Sequence, residues 1–141
     1  MRILSLLDAM DKDAPLKTLR RREHTIVLAD GLPDLLAHLK ESRFDVVLCQ
    51  DEYQDPQLAV LDVVKTIRSS DAQYDLPVVC CRLNQEPLTD HQQKHLENSL
   101  RKAGAQGMMA YKEVHSRRVD SILKNTMSKA VGTECVVTKM Y

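Results

Sequence analysis

The sequence predicts an α/β fold in which helices cover both faces of a doubly wound parallel sheet. Five apolar runs recur along the 141-residue chain, and such nearly continuous runs are typical of strands that are buried on both faces. They are RILSLL (2–7), TIVLA (25–29), DVVLC (45–49), PVVCC (77–81) and GMMAY (107–111). Helical patterns alternate with these runs, and this (βα)5 alternation predicts right-handed crossovers between parallel strands.

Each helical pattern places its apolar residues on one stripe, as expected for a helix that packs on a sheet. The five segments are DAPLKTLRRRE (13–23), LPDLLAHLKESR (32–43), QLAVLDVVKTIRSS (57–70), LTDHQQKHLENSLRKAG (88–104) and HSRRVDSILKNTMSKAVG (115–132). Asp13 is a candidate N-cap of the first helix. Gly104 and Gly132 stand where the last two helices need a left-handed residue.

Composition excludes several functional classes. Lys plus Arg and Asp plus Glu both number 20, aromatic residues make up only 4%, and Trp is absent, so neither a phosphate-binding face nor a base-stacking platform is expected. No apolar run approaches the length of a membrane span. MRILSLL at the start is too short for a secretory signal. We therefore interpret the four cysteines as reduced thiols of a cytoplasmic protein.

The length fits one domain, which we place at residues 1–131. The remaining segment, residues 132–141, contains the strand-like sequence TECVVTKMY, which none of the five repeats uses. It is interpreted as an extra edge strand, a strand that binds a partner, or the start of a linker.

Three segments resemble bacterial response-regulator receiver domains. VLADGLPDLLAHLKESRFDVVL (27–48) is similar to the family's second strand, second helix and third strand, LDVVKTIRSS…DLPVV (61–79) to the third helix and fourth strand, and KAGAQGMMAYKEV (102–114) to the segment around the fifth strand. The likeness extends over about residues 2–131. It implies a flavodoxin-like fold with strand order 2-1-3-4-5 and a site at the carboxyl ends of strands 1 and 3.

The resemblance also implies a phosphorylation site, whose parts are largely replaced here. In the family, acids hold Mg²⁺, an Asp that ends strand 3 accepts the phosphoryl group, and a Ser or Thr and a Lys bind its oxygens. The acceptor position falls on Gln50 when counted along strand 3 and on Glu52 when counted back from the next helix. Asp51 lies between them, either as a solvated loop acid or in the pocket if the strand ends or bulges there.

The other family positions depart from the pattern as well. The family's acid pair falls on Leu7 and Asp8, and its hydroxyl residue falls on Arg82. Its lysine falls on Tyr111, with Lys112 one residue late, and its switching aromatic falls on Met108. We therefore predict an atypical receiver-like domain of two-component (phosphorelay) signalling, a pseudo-receiver that acts through protein contacts and is not an enzyme. Arg82 either pairs with Asp8, Asp51 or Glu52 and excludes Mg²⁺, or points into solvent.

Two other functions stay open. The first is a phosphorylatable receiver that uses Asp51 or Glu52, with Asp8 and Asp51 as Mg²⁺ ligands; otherwise no cofactor is expected. The second is an enzyme that binds flavin or a nucleotide, which is disfavoured because DAMDKDAP (8–15) is acidic and lacks the Gly, Ser or Thr of a phosphate loop.

The resemblance implies a partner surface built from helix 4, strand 5 and helix 5, roughly residues 88–131. We expect this surface to bind another protein or a second copy of the chain, with Met108, Met109 and Tyr111 as its apolar centre. His91 and His95 share a helix face at the spacing of a zinc pair, but with no third ligand evident we interpret them as solvated. Cys49, Cys80 and Cys81 are interpreted as core-filling residues.

Overall fold

A computed structural model describes residues 1–8, 17–19, 24–70 and 75–129. The strands are β1 (Arg2–Ser5), β2 (Thr25–Leu28), β3 (Val46–Gln50), β4 (Val78–Cys81) and β5 (Gly107–Met109). The helices are α1 (Leu32–Glu41), α2 (Val60–Ser69), α3 (Asp90–Ala103), α4 (Tyr111–Val114) and α5 (Val119–Met127). Residues 17–19 are helical as well, while the rest of the predicted first helix and the segment 132–141 lie outside the described residues.

The five strands form one parallel sheet in the order β2-β1-β3-β4-β5. The predicted fold class and strand order are therefore confirmed. The order reverses beside β1, because the chain passes from β1 to β2 on one side and then crosses to β3 on the other. In open α/β sheets the carboxyl ends of the strands at such a switch point are where sites form.

Apolar side chains fill the space on both faces of the sheet. On one face, α1, α2 and α3 contribute Leu35, Val64 and Leu100 to a buried cluster. On the other face, Leu19 and residues of α4 and α5 such as Leu123 pack against the opposite sides of the strands. None of the described helices combines the length and apolar composition that a membrane span requires.

The helix α3 has well-defined caps at both ends. Thr89 accepts a hydrogen bond from the Gln92 N–H, and the Gln92 side chain accepts one from the Thr89 N–H, which together form a capping box. At the other end Gly104 adopts a left-handed conformation with φ of 119°, as predicted for this position. A Cβ atom there would lie 2.6 Å from Cγ of Arg68, so any side chain at this position would also force Arg68 to move.

The region after β5 differs from its prediction. The fifth strand was expected to reach Tyr111, but it ends at Met109 and Tyr111 begins the short helix α4. The strand ends early because the Ala110 N–H donates to the Glu113 side chain at 2.8 Å, which caps a helical turn. The last helix then starts at Val119, four residues later than the predicted segment.

Candidate functional site at the carboxyl end of the sheet

Gln50 is the last residue of β3 and joins two loops at the carboxyl end of the sheet. Its side chain is almost fully buried, and its Oε1 accepts a hydrogen bond from the Asp8 N–H at 2.8 Å. Its Nε2 donates to Oδ2 of Asp8 at 2.8 Å and to the carbonyl oxygen of Glu52. An amide can make these bonds simultaneously because it carries both donors and an acceptor. One of the two positions counted for the family's acceptor acid is thus occupied by a structural amide.

The Asp8 carboxylate is used in the same network. Its Oδ2 accepts hydrogen bonds from Gln50 Nε2 and from the Gln54 N–H, the latter at 2.9 Å. Asp8 follows β1, whereas Gln54 lies in the loop after β3. The carboxylate therefore ties the long β3–α2 loop to the end of β1.

Tyr53 contributes to the site although no sequence motif marks it. Its hydroxyl donates to the Leu6 carbonyl oxygen and accepts a hydrogen bond from the Gln50 N–H, both at 2.9 Å. Burial raises the pKa of the Tyr53 hydroxyl, so the residue remains a neutral phenol. A single aromatic residue within the polar segment DEYQDP was the only available signal.

Asp51 and Arg82 form a buried ion pair where β3 and β4 end next to each other. The Arg82 Nη1 donates to Oδ2 of Asp51, and the side chains are only 8% and 2% exposed for Arg82 and Asp51, respectively. The Arg82 Nη2 donates to the Glu86 carbonyl oxygen at 2.7 Å. The structure therefore places neither Asp51 nor Arg82 in solvent. Of the acids that Arg82 was expected to contact, it binds Asp51.

The direction of the Asp51 side chain follows from the end of the strand. Its backbone N–H still donates to the Cys81 carbonyl oxygen at 3.3 Å, one step beyond the last residue of β3. Side chains of successive extended residues point to opposite sides. The two side chains therefore leave β3 on opposite faces of the sheet, where Gln50 contacts Asp8 after β1 and Asp51 contacts Arg82 after β4.

Burial disfavours the ionised form of Asp51 more strongly than the guanidinium of Arg82 favours it. Burial raises the pKa of the carboxyl, and the hydrogen bond and charge of Arg82 lower it without cancelling that effect. The nearby Glu52 carboxylate adds to the upward shift. Burying an ion pair carries this desolvation penalty even when the contact is close.

The two acids predicted as Mg²⁺ ligands, Asp8 and Asp51, are both engaged by protein side chains. A cavity of about 400 Å³ lies between the loops and is lined by Asp8, Asp51 and Glu52 among other residues. However, the described part of the chain contains no group of three or more His, Cys, Asp or Glu residues that could hold a metal ion. The guanidinium bound to Asp51 would repel a divalent cation, because like charges interact strongly where water is excluded.

Solved structures with a similar fold identify the architecture. No protein-family model and no curated protein matches the sequence. The chemotaxis response regulator CheY4 of Vibrio cholerae is 17% identical, with a TM-score of 0.62 over 89% of this chain and 97% of that chain. The signal receiver domain of the DNA binding response regulator merR from Colwellia psychrerythraea 34H is 17% identical, with a TM-score of 0.66 over 92% of this chain and 99% of that chain. NtrX from Brucella abortus is 16% identical, with a TM-score of 0.70 over 99% of this chain but only 30% of that chain.

This chain has the fold of response-regulator receiver domains. The similarity in sequence is low, so the likeness establishes the receiver fold and leaves the chemistry to the residues themselves. Within this receiver fold, Asp8 lies after β1 and Arg82 follows β4. Gln50 is the last residue of β3, and Asp51 follows it.

The structure corrects the predicted apolar centre of the partner surface. Met109 is fully buried and Met108 is 7% exposed, because both belong to β5 and pack into the clusters on the two faces of the sheet. Tyr111 is half-buried and Lys112 is exposed in α4 of the receiver fold. A cavity of about 230 Å³ lies between α4 and the β4–α3 loop, and Tyr111 and Leu88 line it.

The remaining predicted positions lie as follows in the receiver fold. His91 and His95 are both exposed on α3. Cys49 and Cys80 are register partners on β3 and β4, and these two and Cys81 are free and fully buried. Burial raises the pKa of the Cys81 thiol. Such thiols pack as small apolar side chains and are poor nucleophiles.

Proposed function

We propose that this chain is a phosphorylation-independent receiver module that acts in two-component signalling through contacts with another protein. The observation that carries this proposal is the buried pair of Asp51 and Arg82. In the family pattern, an ionised acid and a hydroxyl at the ends of strands 3 and 4 act on a phosphoryl group. Here the acid is already bound to a guanidinium, and the residue at the end of β3 is an amide.

The surrounding network supports a permanently fixed site. Gln50 and Gln54 use the Asp8 carboxylate, which is the acid that would otherwise bind a metal. Arg82 also binds the Glu86 carbonyl oxygen and so connects Asp51 to the β4–α3 loop. In this proposal the loop keeps one conformation without a phosphoryl group, and no metal or other cofactor is needed. The proposal assigns no catalytic residue.

The partner surface is proposed at α3, β5 and α5, within residues 88–131. The cavity beside Tyr111 and Leu88 gives this surface a recess that an apolar side chain of a partner could enter. The partner is either another protein or a second copy of the chain. We retain the predicted cytoplasmic location as part of the proposal, since the described cysteines are free thiols.

The principal alternative is a phosphorylatable receiver that uses Asp51 or Glu52. The Glu52 side chain is exposed and accepts a hydrogen bond from Nδ2 of Asn84, which lies 3.4 Å from its Oε2, so this acid is accessible to a phosphodonor. Its side chain could accept a phosphoryl group only if the loop also brought a metal to it. An enzyme that binds flavin or a nucleotide is less well supported, and a colourless protein whose melting temperature is unaffected by nucleotides would exclude it.

The deciding experiment compares the protein with and without a phosphoryl mimic. The full chain is mixed with Mg²⁺ and beryllofluoride, or with Mg²⁺ and acetyl phosphate, and its amide NMR shifts are followed. We expect no saturable shifts around Asp51 and Glu52. Saturable shifts there would support the phosphorylatable alternative instead. The variant R82T, which frees Asp51 and supplies a hydroxyl, tests whether Arg82 alone prevents binding.

A further inference from the structure

The outer edge of β2 carries unpaired backbone groups. Thr25 and Ala29 donate their N–H groups to Met1 and Ser5 at 2.9 Å each, so these alternate positions face β1. In a parallel ladder the N–H and C=O of one residue point to the same neighbour, and those of the next residue point away. The N–H and C=O groups of Ile26 and Leu28 therefore point outward. β2 is the end of the sheet, and no described residue pairs with it on that side.

The two edges of the sheet differ in how well they are covered. All three residues of β5 are buried. In β2, by contrast, Thr25 is exposed and the next three residues are only partly buried. Ile26 and Leu28 rest against one apolar cluster and Val27 against the other. A partly exposed strand with free backbone groups and apolar side chains on both faces is a template for another strand.

One segment of this chain has the composition to occupy that edge. TECVVT, residues 133–138, contains four β-branched residues among six, the residue types that favour strands. The five strand–helix repeats do not use it. Val136 and Val137 would present one apolar side chain to each face of an added strand, which matches the two-sided apolar character of β2.

The connection from α5 is long enough to reach the edge. The His24 Nε2 lies 2.6 Å from Oδ1 of Asp120, so α5 lies beside the residue that precedes β2. The helix ends at Met127, which lies about 10 Å beyond Asp120 along the helix axis at the usual rise per residue. Ser128 and Lys129 continue the turn at the end of the helix, and the three residues 130–132 that follow can span about 10 Å when extended. An intramolecular path from α5 to the edge of β2 is therefore available.

We propose that residues 133–138 add to the outer edge of β2 as a sixth strand of the same molecule. The pairing would satisfy the outward N–H and C=O groups of Ile26 and Leu28. It would also cover the partly exposed apolar side chains of β2. This inference concerns an edge remote from Asp51 and Arg82 and does not depend on whether the module is phosphorylated.

Hydrogen exchange of individual amides in the full chain tests the pairing. We expect the Ile26 and Leu28 amides to exchange at least about tenfold more slowly in the wild-type chain than in V136P/V137P, because proline removes backbone donors and disfavours pairing. The Val27 amide, which faces β1, serves as an internal reference and stays protected in both. M140P lies beyond the proposed strand and is the matched control; it should keep the protection. Far-UV circular dichroism verifies that all variants are folded.

Three results would overturn the inference. The first is exchange of Ile26 and Leu28 in the wild-type chain as fast as in V136P/V137P, which would show an open edge. The second is equal loss of protection in V136P/V137P and M140P. The third is protection that disappears on dilution together with a dimer seen by sedimentation velocity, which would assign the added strand to a second copy.

Discussion

Two aspartates of this molecule each accept a hydrogen bond from a basic side chain, yet their pKa values are displaced in opposite directions. Burial raises the pKa of the Asp51 carboxyl, and Arg82 does not fully offset that effect. Partial burial would likewise raise the pKa of Asp120, but the hydrogen bonds from His24 and Lys124, together with their charges, hold it below its usual value. The Asp120 side chain is 16% exposed, whereas that of Asp51 is 2% exposed.

The difference shows what each pair does for the fold. At Asp120 two donors act on a carboxylate that keeps some contact with water, so the ionised form is stabilised relative to the unfolded chain. At Asp51 the loss of water outweighs the attraction of the guanidinium, as is common for buried pairs. We infer that the Asp51–Arg82 pair fixes the geometry at the carboxyl end of the sheet and adds little to the free energy of unfolding.

The largest expected effect comes from removing one partner of the buried pair. R82A would leave the Asp51 carboxylate buried without its cation, and such changes typically destabilise a protein by about 3–5 kcal/mol. The free energy of unfolding from urea titrations measures the loss. R118A removes an exposed arginine and should change the stability by no more than about 0.5 kcal/mol.

The paired replacement R82M/D51L sharpens the same point. Apolar side chains of similar volume avoid the desolvation penalty, so the double variant should be within about 1 kcal/mol of the wild type or more stable. Its stability relative to R82A gives the cost of the stranded charge. A double variant as unstable as R82A would mean that the ion pair itself stabilises the fold, beyond preventing an unpaired buried charge.

The second effect concerns Asp120 at the start of α5. D120N keeps an acceptor for His24 but removes the negative charge, and charged hydrogen bonds exceed neutral ones by about 1 kcal/mol. We expect a loss of that size at neutral pH in urea titrations. S121A alters the adjacent exposed residue of the same helix and serves as the control. Equal stability of D120N and the wild type would show that the charge contributes nothing.

The pH dependence of the two aspartates should have opposite signs. The pKa of Asp51 is raised in the folded state, so the native protein holds more protons and loses stability as the pH rises from the ordinary carboxyl pKa to the raised one. The pKa of Asp120 is lowered, so its contribution is present above the ordinary pKa and is lost as the pH falls through the lowered one. Subtracting the stability of D51N from that of the wild type should thus give a difference that falls with pH. The same subtraction for D120N should give one that rises, and parallel curves would contradict the assignment.

The fold was predictable from sequence to a degree that the site was not. The run DVVLC is apolar on every residue after Asp45, which demands burial on both faces and hence a central parallel strand. The partners of Gln50 depend instead on where β3 stops and how the following loop turns, and neither leaves a periodic signal. Tyr53 bridges Gln50 and Leu6 across that loop, a contact that no spacing rule encodes.

The smallest expected effect separates the two partners of Asp120. Lys124 lies one helical turn after Asp120, with 3.4 Å between its Nζ and Oδ2 of Asp120, and its side chain is 56% exposed. An exposed i,i+4 pair with the acid nearer the helix N-terminus contributes about 0.3–0.5 kcal/mol. K124A should therefore lose that amount at low salt and little at high salt, because mobile ions screen an exposed pair. K112A changes an exposed lysine of the short helix α4 for which no ion pair with a described residue was found, and it serves as the control. A loss for K124A as large as that for D120N, or one that does not depend on salt, would mean that Lys124 rather than His24 holds the pKa of Asp120 down.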